Sequence, residues 1–160
     1  MRRPGQAPSQ AFRRAFFLAY GAGLLLCVAC PLVLQGLMSS VLQPGVLDAP
    51  RLAEDLGYTF TGLVILGALF VRRRSRRVRA DFASLDARRQ PRAMALEILL
   101  YSIVFESSAL FGLVYHGLGG PHAERYARTF VALATVMFLV FVPRFSAWRR
   151  ASEGQGHAAG

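Results

Sequence analysis

PRAMALEILLYSIVFESSALFGLVYHGLGG, from Pro91 to Gly120, is the stretch whose reading decides the fold. About 20 predominantly apolar residues in a helix cross the ~30 Å hydrocarbon core of a bilayer, and this run is long enough. Its acidic residues are Glu97, near the start, and Glu106, near the middle. A carboxylate at mid-depth costs on the order of 3 kcal/mol on insertion scales, so Glu106 is the first candidate functional residue.

The composition around it agrees. The chain has 160 residues, 54% of them hydrophobic, and a mean hydropathy of +0.37; a soluble domain usually carries about 45–50% apolar residues. The net charge is +10, and all 19 basic residues are arginine. These arginines cluster between apolar runs, as topology-setting charges do. No aromatic stacking platform accompanies them, so nucleic acid is not expected as a partner. No Ser/His/Asp set or phosphate loop is present, and His116, His122 and His157 lack metal-ligand spacing. No enzyme activity, metal or cofactor is expected.

Working outward, four apolar runs are expected to be transmembrane helices, at about 16–38, 54–72, 93–118 and 126–145. Gln43-Pro44-Gly45 and Asp48-Ala49-Pro50 are turn signals between the first two. The second run is short, and Arg72 would snorkel to the interface. Gly119-Gly120-Pro121 is expected to stop the third helix and start the fourth, with Glu124 near the positive end of the latter. The fold class is therefore all-α: a single polytopic domain, a four-transmembrane-helix bundle.

Arginine placement orients the bundle. Sixteen arginines lie before the first run, between the second and third, and after the fourth; three lie in the other two loops. The positive-inside rule puts both termini and the middle connector in the cytoplasm. Trp148 follows the fourth run, where an interfacial anchor belongs.

The first run admits competing readings. Arg13-Arg14-Ala15-Phe16-Phe17 is similar to a twin-arginine export signal, and Cys27-Val28-Ala29-Cys30 to a lipoprotein cleavage box. The run continues past Cys30, beyond the usual 7–15-residue signal core, so an uncleaved span is expected. Cys27 and Cys30 have the CxxC spacing of redox sites, and four-helix membrane thiol oxidases carry such a pair. The packing reading is favoured: Ala15, Ala19, Gly23 and Cys27 recur every four residues, a small-residue stripe that lets helices approach closely. Pro31 is expected to kink this helix, with a neighbour satisfying the freed carbonyl.

In the middle connector, Val78, Phe82 and Leu85 share one helical face. With Arg72, Arg73, Arg74, Arg76, Arg77 and Arg79 around them, they could form an interfacial helix contacting anionic lipid headgroups of the inner leaflet.

In the third run, Glu97 and Glu106 are nine positions apart, about half a turn out of phase, and face opposite sides. Glu97 is expected to reach headgroups, Arg89 or Arg92. Glu106 has no arginine at its depth and is expected to be an uncharged acid. Ser102, one turn earlier, is its nearest hydrogen-bonding candidate. Ser108 and Gly112 form a second small-residue contact, and His116 lies about 15 Å further along.

Glu106-Ser107-Ser108-Ala109-Leu110-Phe111-Gly112-Leu113 resembles the carboxylate helix of the proteolipid c subunits of rotary ATPases. That resemblance implies a match of Glu106 to the ion-carrying carboxylate and of Phe111-Gly112-Leu113 to the aromatic-Gly-Leu run. The whole layout resembles small, uncharacterised four-span bacterial membrane proteins, which implies a multi-pass protein of the bacterial inner (cytoplasmic) membrane.

Three functional expectations follow. The first is a non-enzymatic membrane protein in which Glu106 fixes helix packing or assembly, in a homo-oligomer or a larger membrane complex. The second is a proton or cation conduit through Glu106. The third is a thiol oxidoreductase using Cys27 and Cys30.

Overall fold

The computed structural model describes residues 10–43 and 49–153. Its helices are α1 (Gln10–Leu24), α2 (Cys30–Ser40), α3 (Pro50–Asp81), α4 (Gln90–Phe141) and α5 (Phe145–Ser152). Among the described residues, four stretches are long and apolar enough to cross a membrane: Gln10–Ser40, Arg51–Ser84, Gln90–Gly119 and Ala123–Ser152. They enclose the four runs expected from the sequence. The turn signals at Pro44, Gly45 and Asp48 lie outside the described residues.

α1 and α2 form one rod, joined by a π-helical segment, Leu25–Ala29. Pro31 explains it. Proline has no N–H to give the carbonyl four residues back, and the helix widens by one residue instead. The Cys30 N–H donates to the Leu25 carbonyl, five positions earlier.

Helical pairing in α4 continues through Gly119-Gly120-Pro121, where the sequence predicts a stop. The chain nevertheless doubles back. Ser108 Oγ donates to the Phe130 carbonyl at 2.7 Å, whereas a straight helix would separate those residues by about 33 Å. The reversal falls between the apolar stretches that end at Gly119 and begin at Ala123. The Leu118 carbonyl, at the bend, accepts the Ala49 N–H at 3.2 Å.

The first half of α4 is the axis of the bundle. Of its apolar window 44% is buried, against 11% for that of α3. α1 and α2 pack on one side of α4, and α3 on another. Phe60 of α3 stacks on Phe111 with ring centroids 4.5 Å apart.

The middle connector differs from expectation. α3 runs unbroken through Arg72–Arg79 to Asp81, and a short 3₁₀ turn (Phe82–Ser84) follows. No separate interfacial helix forms there. Phe82 is fully buried rather than lipid-facing, and Val78 and Leu85 pack against the same core. Trp148 is also fully buried: its ring lies 5.0 Å from Phe82, so it is a core residue and not an interfacial anchor. Phe12 of α1 contacts Phe82 and Phe145. This aromatic knot gathers the start of α1, the end of α3 and α5 at one end. The described arginines of the N-terminal, connector and C-terminal segments therefore share that end, and Arg51, Arg125 and Arg128 lie at the other.

Candidate functional site

The small-residue stripe of α1 brings the first rod onto α4. A Cβ on Gly23 would collide with Ser102 Oγ and come within 2.7 Å of the Phe138 ring. Glycine is required there because side chains from the two halves of α4 already fill the space. One turn on, Cys27 is fully buried, and its Sγ donates to the Ser102 carbonyl at 3.3 Å. Ala19 and Cys27 both belong to the buried core, as the four-residue recurrence predicts.

The freed carbonyl at the kink finds its partner. Pro31 cannot donate to the Cys27 carbonyl; Thr135 Oγ1, on the second half of α4, does so at 2.6 Å. The sequence implied a freed carbonyl and a neighbouring donor but named neither residue. A hydroxyl in the fourth run was the available signal.

Glu106 lies beside this kink. It is 8% exposed, and neither carboxylate oxygen has a hydrogen bond of ordinary geometry. The Cys30 thiol faces it, and Cys27 is also within electrostatic reach. The sequence treated the two cysteines and the carboxylate as separate candidates; the fold joins them in one cluster at the π segment. Ser102 is not the partner of Glu106. Its hydroxyl turns back to the Ile98 carbonyl at 2.8 Å, satisfying itself within its own helix.

Ser108 and Gly112 close the α4 hairpin. Beyond the Ser108 bond to Phe130, a Cβ on Gly112 would lie 2.6 Å from both the Ala127 carbonyl and Val131 Cγ2. His116 is buried, and its Nε2 donates to the Leu42 carbonyl at 3.2 Å, tying the end of the first rod to α4. It does not join the Glu106 cluster. Among the described residues no group of three His, Cys, Asp or Glu is arranged to hold a metal ion.

Glu97 and Glu106 do face opposite sides, one toward α3 and the other toward the first rod. The partner of Glu97 is neither Arg89 nor Arg92. Arg74 of α3 grips it with two nitrogens, Nε at 2.8 Å and Nη2 at 2.6 Å. Buried Tyr101 and Ser75 lie alongside. Arg74 is thus a clamp between α3 and α4, rather than only one of a row of headgroup-seeking arginines. Nothing in the local sequence marks it among its neighbours; only the helix crossing selects it.

A groove of about 920 Å³ runs along the bundle between α3 and the second half of α4. It is mostly apolar, floored by Tyr115, and lies away from Glu106. Compared with known proteins, the chain matches no family model, no curated protein and no solved structure.

Proposed function

We propose that this is a non-enzymatic, multi-pass integral membrane protein in which Glu106, carried as an uncharged acid, fixes the packing of the first rod on α4. One observation carries the reading. Glu106 is more than nine-tenths buried at mid-helix, against the kink of another helix, with no cationic group of the described residues beside it. An ionised carboxylate there would be unpaired in hydrocarbon, which is far costlier than a neutral acid among thiols and small residues.

The gathering of the arginine-rich segments at one end supports a cytoplasmic placement of that end and of both termini, in a bacterial inner membrane. The exposed arginines of α3 would then meet anionic headgroups.

Glu106→Gln keeps the shape and neutrality of the acid. It should leave melting behaviour in detergent unchanged. Glu106→Lys should prevent the rod from docking. Carbodiimide labelling of Glu106 that varies with pH, with ion flux in parent vesicles that Glu106→Gln abolishes, would replace this reading with the conduit. A redox change at Cys27 and Cys30 during turnover of any thiol substrate would replace it with the oxidoreductase.

A further inference from the structure

The groove between α3 and the second half of α4 ends in arginine. Along α3 it extends from Ala53 to Arg72, roughly 28 Å at 1.5 Å per residue, which matches the hydrocarbon thickness of a bilayer. Its walls include Ala68 and Leu69 on one side and Leu133 and Met137 on the other. Interiors and their interfaces are close-packed, so a trough of this size in a lipid phase is filled by something apolar.

Charge identifies what sits at its mouth. Arg76 lies one turn beyond Arg72 on the continuous helix α3 and therefore on the same face. Arg79 follows and is within electrostatic reach of both Arg76 and Arg150 of α5. Its guanidinium is held in place by a bond from Nε to the Ser75 carbonyl at 3.1 Å. The ion pairs among the described residues use Arg74, Arg128 and Arg149. Arg72, Arg76, Arg79 and Arg150 are in none of them. Arg72 and Arg76 on one face of α3, and Arg79 within reach of Arg76 and Arg150, thus put four like charges, none of them in an ion pair among the described residues, at this end of the molecule.

The geometry points to a binding site for one anionic glycerophospholipid, its acyl chains along the groove and its phosphate among Arg72, Arg76, Arg79 and Arg150. The inference rests on the membrane reading above and adds a defined, saturable site to the general attraction of a basic surface. Guanidinium groups suit phosphate oxygens because they offer paired donors in a plane. A zwitterionic headgroup would bring its own cation into the cluster and bind less well.

The test uses the full chain, purified in mild detergent, stripped of lipid, and titrated with phosphatidylglycerol or phosphatidylcholine. Native mass spectrometry counts the lipid retained. One phosphatidylglycerol per chain should bind, about tenfold more tightly than phosphatidylcholine. Arg76→Gln/Arg150→Gln should shrink that preference to about twofold or less. Ala68→Phe, which fills the trough, should weaken both lipids. Leu66→Phe, on another face of α3, should change neither, and unchanged melting curves would show that each variant is folded. Equal binding of the two lipids, indifference to Ala68→Phe, or a dimer that occupies the groove would overturn the site. Alkaline extraction of native membranes separates this outcome from the broader one: a chain that washes off the membrane defeats the membrane reading itself.

Discussion

Thr135 Oγ1 donates at 2.6 Å to the Cys27 carbonyl, the one that Pro31 leaves without a helical donor. A break in the first rod is thereby repaired by the last long helix. Repair and break should be energetically coupled. Thr135→Val should destabilise by roughly 1 kcal/mol, the usual scale for such a bond between membrane helices. Thr135→Ser should cost less. In a Pro31→Ala background the helix can satisfy its own carbonyl, and Thr135→Val should then cost little. A double-mutant cycle read by thermal melting in detergent checks this; additive effects would show that the bond does not compensate the proline.

The Arg74–Glu97 clamp leads to a different pattern. Removing one partner leaves the other charge poorly solvated, because Glu97 is 8% exposed. Breaking a fully buried pair costs about 3–5 kcal/mol. The Arg74 side chain is 43% exposed, so roughly half that loss is expected for Arg74→Gln. Arg74→Met/Glu97→Leu should recover most of it, since an apolar pair of similar size fits the same contact. Chemical denaturation of the single and double variants measures both.

The hairpin in α4 depends on close backbone approach. Gly112→Ala places a methyl group 2.6 Å from the Ala127 carbonyl, which belongs to rigid helix backbone. A loss of at least about 2 kcal/mol is expected. Gly36→Ala is the control: nothing lies within 4 Å of its Cβ position, so it should be neutral or slightly stabilising, by up to about 1 kcal/mol. Comparable effects of the two substitutions in a thermal melt would contradict the close-packing account.

Much of this architecture was legible in the residues themselves. Four charge-poor runs and alternating arginine counts specify four apolar helices and their grouping by end. The recurrence of Ala19, Gly23 and Cys27 specifies the buried face of the first rod, because a helix repeats every 3.6 residues whatever its neighbours. Tertiary selection was not legible. Six arginines crowd Arg72–Arg79 with similar local surroundings, and only the crossing of α3 over α4 makes Arg74 the clamp. Phe82 reads as interfacial because it shares a face with Val78 and Leu85 among arginines, and Trp148 because it follows an apolar run. Each is buried because the other is there to meet it. Gly119-Gly120-Pro121 was read as a helix stop by local propensity, yet the backbone keeps its helical pairing while reversing. The meeting of Cys27, Cys30 and Glu106 likewise depends on how far the π segment rotates α2, which no spacing rule supplies.

Among the candidates singled out from sequence, Cys27 and Cys30 should differ in reactivity. Cys27 is fully buried and directed at the Ser102 carbonyl, whereas Cys30 is only half-buried. A small lipophilic maleimide should modify Cys30 first, and Cys27 only on unfolding. Peptide mapping of the labelled chain distinguishes them. Equal labelling of both in the folded protein would mean that the first rod is not seated on α4.

The most direct test of the central proposal is infrared difference spectroscopy of the reconstituted chain at neutral pH, comparing the parent with Glu106→Gln. A neutral Glu106 predicts a carboxylic-acid C=O band that moves on exchange into heavy water and is missing from the Gln variant. A parent spectrum without that band, in which the substitution removes a carboxylate band instead, would contradict it.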